Sequence, residues 1–218
     1  MLRLIQKNAF YFALNTVVIL VLMTVYWFTA RRELSWAMVL FQGLWMILIV
    51  EGSLSSNEKA EQKSGGYKFL RLLPLGDREI VISKFILVLL TGVFVLVYNY
   101  ILYFFIPGSP HLYALGRLLV FLCLFISLFL AGFSYIVIFR FGNAVFLKFV
   151  WIATITIILT PILLIELVIL KMDIDFRSFI DQITKLNGLI WVTIGLSGLG
   201  VYFLLMQAAI KAKQASRG

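Results

Sequence analysis

Six stretches of the chain stay apolar for the length of a bilayer crossing: Ala9–Thr29, Leu34–Gly52, Phe85–Ile106, Leu115–Phe139, Phe149–Leu170 and Gly188–Ala208. A spanning helix needs about 20 such residues. None of the six alternates apolar and polar positions, as barrel strands would. Backbone polar groups inside lipid must be satisfied within the segment, which leaves helices. The pattern predicts an all-α integral membrane protein: one transmembrane domain over residues 1–218, six transmembrane helices, and a long polar loop at 53–84 between the second and third.

The breaks between the stretches are unequal. Ala30–Glu33, Pro107–Ala114 and Arg140–Lys148 are short, the second opening on "PGSP". The segment Lys171–Asn187 is intermediate. In it Phe176, Phe179, Ile180 and Ile183 recur at i, i+3, i+4 and i+7 between charged residues. That spacing fits either a short amphipathic helix on the outer surface or a loop tucked onto the bundle.

Composition excludes a soluble domain. The chain is 62% hydrophobic and 13% charged, where a soluble domain carries about 25% charged residues. A formal charge of +9 could serve nucleic acid, but the basic residues lie between apolar runs, as membrane flanks do. With the N-terminus inside, 13 of the 19 Lys and Arg residues fall on the cytosolic side, and both termini are expected there. Arg31 and Arg32 run against this bias. Arg3 and Lys7 resemble the start of a signal peptide. The uncharged run from Asn8 to Ala30 exceeds the roughly 7–15 residues of a signal core, so a retained first helix is expected. Cys123, the one cysteine, permits no internal disulfide and is read as a small apolar group within a helix.

The loop holds most of the candidate chemistry. "SLSSNEKAEQKS" (Ser53–Ser64) could continue the second helix into the cytosol, with Glu58, Lys59, Glu61 and Lys63 as solvated pairs. Gly65 and Gly66 break it. In "YKFLRLLP", Tyr67, Phe69, Leu70, Leu72 and Leu73 are apolar, Lys68 and Arg71 lie three apart on the other side, and Pro74 ends the turn. A new helix is expected from Gly76 and Asp77, with Asp77 and Glu79 in its first turn where negative charge suits the dipole. Lys84 is read as marking the membrane surface. Two readings of Tyr67–Pro74 stand open on physics alone: an interfacial helix lying on anionic headgroups, or a knob seated in a partner's groove.

An acidic-basic pair in "NEK" (Asn57–Lys59), a glycine turn, the Leu73-Pro74 stop, Arg78-Glu79 and "IVISK" (Ile80–Lys84) follow in that order. The sequence resembles the ABC-2 type transporter permeases, the membrane subunits of ATP-driven exporters, in the loop between their second and third helices. The motif covers about Glu58–Lys84, and the six-span topology covers the whole chain. Asp77 departs from the serine or similar residue often found there. The resemblance implies an ABC-2 (type V exporter-like) transmembrane domain in the bacterial cytoplasmic membrane. It implies a coupling helix in which Tyr67, Lys68, Phe69, Leu70, Arg71, Leu72, Leu73 and Pro74 contact a separate ABC ATPase. Glu58, Glu61, Gly65, Gly66, Asp77, Arg78 and Glu79 would support it, and Arg140, Phe141, Gly142 and Asn143 would form a second contact. It further implies a second permease subunit, identical or homologous. It implies no cofactor in this chain, with ATP and Mg on the partner ATPase, and a cargo that is a peptide, a lipid-like molecule or a drug.

The sequence holds no G-x-x-x-x-G-K-[ST], so these residues offer no phosphate cradle. His111, the one histidine, stands in the expected "GSPHLY" turn without a spaced carboxylate. An intramembrane enzyme is disfavoured for lack of a base or ligand cluster. Within the spans, Asn99 is expected to seek a partner across a helix interface. Glu166 would either pair near the outer surface or line a path, and Glu51 would hydrogen-bond or pair with basic residues at the inner end rather than touch cargo. Ser127 with Ala131, Thr193 with Ser197, and Gly195, Gly198 and Gly200 are expected to mark close helix approach. A non-transporting scaffold or assembly factor, docking a soluble partner through the same loop, is the alternative to a permease.

Overall fold

The computed structural model describes residues 9–10, 13–14, 16–25, 36–63, 76–105, 110–142, 145–146, 152 and 188–215. Five helices are named among them. They are α1 (Thr16–Val25), α2 (Trp36–Lys63), α3 (Asp77–Leu102), α4 (Pro110–Phe141) and α5 (Gly188–Ala215). The whole of α3, the Gly116–Phe141 part of α4 and the Ile190–Ala215 part of α5 are long and apolar enough to cross a membrane; α1 is apolar but shorter. The expected fifth span (all but Ile152), the 171–187 segment, Arg31 and Arg32 lie outside the described residues.

Local chemistry sets the ends. Gly76 is extended at φ −70° and ψ 151°. Its N–H donates to the Glu79 carboxylate at 3.3 Å, and its carbonyl accepts the Glu79 N–H at 3.0 Å. With Asp77 and Glu79 in the first turn, α3 starts where the sequence places it. Pro110 opens α4, where a missing N–H costs nothing. His111 therefore lies in a helical first turn, not in the expected loop. At the other end of α4, Gly142 takes φ 85° and gives its N–H to the Ile138 carbonyl at 2.9 Å, a left-handed stop. Gly142→Val is expected to cost about 1–2 kcal/mol through that φ, read as a lower unfolding midpoint in detergent.

Helix α2 is one rod of 28 residues, about 42 Å long at 1.5 Å per residue. The hydrocarbon layer is about 30 Å, so the helix is longer than such a layer, and the polar residues from Ser53 to Lys63 continue it without a break.

Helix α4 is central, packing against α2, α3 and α5, and α3 also touches α2 and α5. On α3, Val81, Phe85, Val88, Val95 and Leu102 are buried along one stripe, while Leu90, Val93, Phe94, Val97 and Ile101 are exposed. A helix apolar on both its packed and its open face suits lipid as solvent. Helix α5 likewise turns Val192, Leu196, Phe203 and Leu204 outward.

The contacts fix which ends lie together. Lys84, at the start of α3, meets Glu58 and Glu61 at the end of α2, and Tyr135 in the last turns of α4. Lys213, at the end of α5, faces Asp77. The beginning of α3 and the ends of α2, α4 and α5 thus share the end of the bundle that carries the 64–75 loop.

Close approach falls unevenly on the glycines. A Cβ at Gly198 would collide with the Phe125 ring, one at Gly195 would stand 3.6 Å from Phe121, and one at Gly200 would meet no described atom within 4 Å. Ser127 and Ala131 are buried as expected, whereas Thr193 and Ser197 are exposed. Asn99 also departs from expectation. Its amide donates to the Val95 carbonyl of its own helix at 2.7 Å. The group that crosses to another helix is its neighbour Tyr98, which bonds to Thr24 of α1 and donates to the Leu20 carbonyl at 3.1 Å.

Candidate functional site

The polar extension of α2 is built as a stripe. Glu51, Leu54, Glu58 and Glu61 stand at i, i+3, i+7 and i+10, on one face of a 3.6-residue helix. All four are buried, with Glu58 at 1% and Glu61 at 2% exposure. This corrects the expectation of solvated pairs along Ser53–Lys63. Lys59 and Lys63 are exposed, but the two carboxylates turn inward. The local pattern of alternating charge concealed this, because their partner sits beyond the loop.

That partner is Lys84, on the second turn of α3. Its ammonium bonds to the Glu58 carboxylate and, at 2.9 Å, to Glu61. It also stands 5.6 Å from the centroid of the Tyr135 ring. Lys84 has no exposure at all, so it is a core residue of the loop end, not a marker of the membrane surface. A buried ammonium is tolerable only when paired and hydrogen-bonded; here two carboxylates and an aromatic face meet that need.

Aromatic packing surrounds the triad. Tyr135 lies 5.5 Å from Phe85 and stacks on Phe139 at 5.8 Å. Phe85 in turn lies 5.1 Å from Tyr202 of α5, whose hydroxyl donates to the Phe85 carbonyl at 2.8 Å. A second charged contact is looser. Lys213 stands 4.0 Å from Asp77, with both side chains about a tenth exposed, and lies 4.9 Å above the Phe139 ring. The first two turns of α3, directly after the loop, are therefore held by charge to α2 on one side and to α5 on the other.

The other described candidates of the loop and the second contact lie at the same end of the bundle but turn outward from this cluster. Arg78 and Glu79 are exposed on the first turn of α3, and Arg140, Phe141 and Gly142 are exposed at the end of α4; the Arg140 guanidinium lies 5.5 Å from the Phe141 ring. Tyr67–Pro74, Gly65, Gly66, Asn143 and Glu166 lie outside the described residues. Glu51 is buried, and its Oε1 finds no hydrogen-bond partner among the described residues. Sequence reasoning assigned no partner to Gln42 or to Asn57 of the "NEK" motif, both fully buried on α2 with no partner for either amide atom among the described residues. It also passed over Tyr135, Tyr202 and Lys213. The available signal was the common stripe of Glu51, Leu54, Glu58 and Glu61.

Between α4 and α5 runs an apolar groove of about 310 Å³, lined by Phe125, Phe129, Leu130, Val201 and Tyr202 among others. Among the described residues no three His, Cys, Asp or Glu side chains gather to hold a metal. The loop-end cluster is an arrangement of fixed charges and stacked rings. What it can do is hold helix positions relative to one another. A family model described as ABC-2 family transporter protein matches residues 2–213. No curated protein and no solved structure matches the chain.

Proposed function

The chain belongs to the family of ABC-2 transporter proteins, and on that premise we propose that it is the membrane-spanning permease subunit of an ATP-driven exporter. The observation that carries this is the family match over residues 2–213. A helical bundle with apolar faces turned outward is in keeping with it. An even number of crossings, six in all, is supported by helix direction. Helix α4 ends at the loop end, whereas α5 begins at the opposite end, which calls for a further crossing between them.

In this reading the loop end faces the cytosol, as the excess of Lys and Arg favours, and Tyr67–Pro74 seats on a separate ATPase. ATP and Mg bind that partner. Its closure displaces the loop, and the bundle answers as a rigid body. Two permeases, identical or homologous, would flank the path. The cargo is hydrophobic or amphipathic, a peptide, a lipid-like molecule or a drug, in keeping with the aromatic and aliphatic side chains that dominate the chain.

The test is reconstitution of the chain with its ATPase in liposomes. The probes are a fluorescent amphipathic helical peptide, a fluorescent phospholipid and a hydrophobic dye. ATP-dependent movement of at least one probe is expected. Leu70→Asp and Leu73→Asp should each weaken ATPase association or abolish transport while the subunit stays folded. Unchanged association and transport in both variants would reject Tyr67–Pro74 as the contact. A complex that binds an ATPase but moves no probe under any condition would favour a scaffold.

A further inference from the structure

We propose that Lys84 is a positioning residue that joins the two stalks of the 64–75 loop, the end of α2 and the start of α3, into a single lever. This rests on the reading of the chain as a permease driven through that loop. A push on a loop reaches the bundle undiminished only if the stalks do not slide past each other. Apolar contacts between helices permit small sliding motions. The charges here oppose them. Glu58 and Glu61 lie one turn apart on α2, and Lys84 reaches both from α3. Sliding α3 along α2 by a turn would carry the ammonium away from at least one carboxylate, inside a cluster where all three residues are at most 2% exposed. Fixing register is the best-attested use of a buried polar contact.

The joint on the other side of α3 is of a different kind. Lys213 and Asp77 are 4.0 Å apart, each about a tenth exposed, and Tyr202 of α5 donates its hydroxyl to the Phe85 carbonyl at 2.8 Å. Displacement of the 64–75 segment would move the end of α2 and the start of α3 together.

The experiment uses the full chain in complex with its ATPase in liposomes, with Cys123→Ala removing the native thiol. Spin labels are placed on cysteines substituted at Gln62 of α2 and Leu90 of α3, both exposed. The distance between them is read without nucleotide and after trapping with ATP and vanadate. A single narrow distance, unchanged by trapping, is expected for the parent and for Lys84→Arg. Because Lys84→Met alone strands two buried carboxylates, the decisive variant is the neutral triple Lys84→Met, Glu58→Gln, Glu61→Gln. It should assemble with the ATPase and hydrolyse ATP, yet show a broad or nucleotide-dependent distance and lose probe transport. A parent distance that shifts on trapping overturns the proposal. So does a triple variant that keeps the narrow distance and transports normally. A parent chain that binds no ATPase overturns the permease reading itself, and the lever with it.

Discussion

A chain carrying Glu58→Gln and Glu61→Gln together is expected to lose about 3–5 kcal/mol of stability, and adding Lys84→Met is expected to return most of that loss. The sign follows from burial. Lys84 is fully enclosed, and Glu58 and Glu61 are nearly so. Removing the two carboxylates while keeping the ammonium leaves a desolvated cation without the two counter-charges it bonds to. Removing the ammonium as well takes the charge out of the core, and methionine fills a similar volume with a flexible apolar side chain. Either single glutamine should cost less than the pair, because the remaining carboxylate still accepts from Lys84. Unfolding of purified protein in mixed micelles, followed by helical circular dichroism, gives the values. The idea fails if the third substitution adds a further loss of its own, because the three groups would then be acting independently.

Gly198→Ala and Gly200→Ala, two residues apart on α5, are expected to move stability in opposite directions. At Gly198 the new methyl would enter the Phe125 ring. That ring packs edge-on against Phe121 at 5.0 Å, and Phe121 against Trp191 at 5.9 Å, so retreating into the adjoining groove would forfeit those contacts. Overpacking of this kind costs about 1–3 kcal/mol. At Gly200 the methyl meets no described atom within 4 Å, so the higher helix propensity of alanine should contribute up to about 1 kcal/mol of stability. The same micelle unfolding assay compares the two. A Gly198→Ala chain as stable as the parent would show that α4 and α5 are not in close contact there.

Much of the fold was legible because lipid simplifies the code. Runs of apolar residues, bounded by Gly76-Asp77 and Pro110, announce helices whose ends are fixed by backbone chemistry that any sequence displays. The continuation of α2 to Lys63 was also readable, since nothing in Ser53–Lys63 breaks a helix. What could not be read was which side of that extension turns inward. Charged residues on a helix that leaves the membrane look solvated. Only their placement against Lys84, 26 and 23 residues further on, reverses the assignment. Asn99 misled for a related reason. Its position called for a hydrogen bond, but composition cannot distinguish a partner across an interface from the carbonyl four residues back. The three glycines in the first half of α5 looked alike in sequence, and differ only in what α4 presents to each.

The order of the three charged residues along the chain bears on how the protein is made. Glu58 and Glu61 leave the ribosome before Lys84 does, so both counter-charges already exist when the ammonium must enter its site. The hairpin formed by α2 and α3 carries acceptors and donor on one continuous piece of nascent polypeptide. Neutralisation of Lys84 by these carboxylates need not await the synthesis of any later helix.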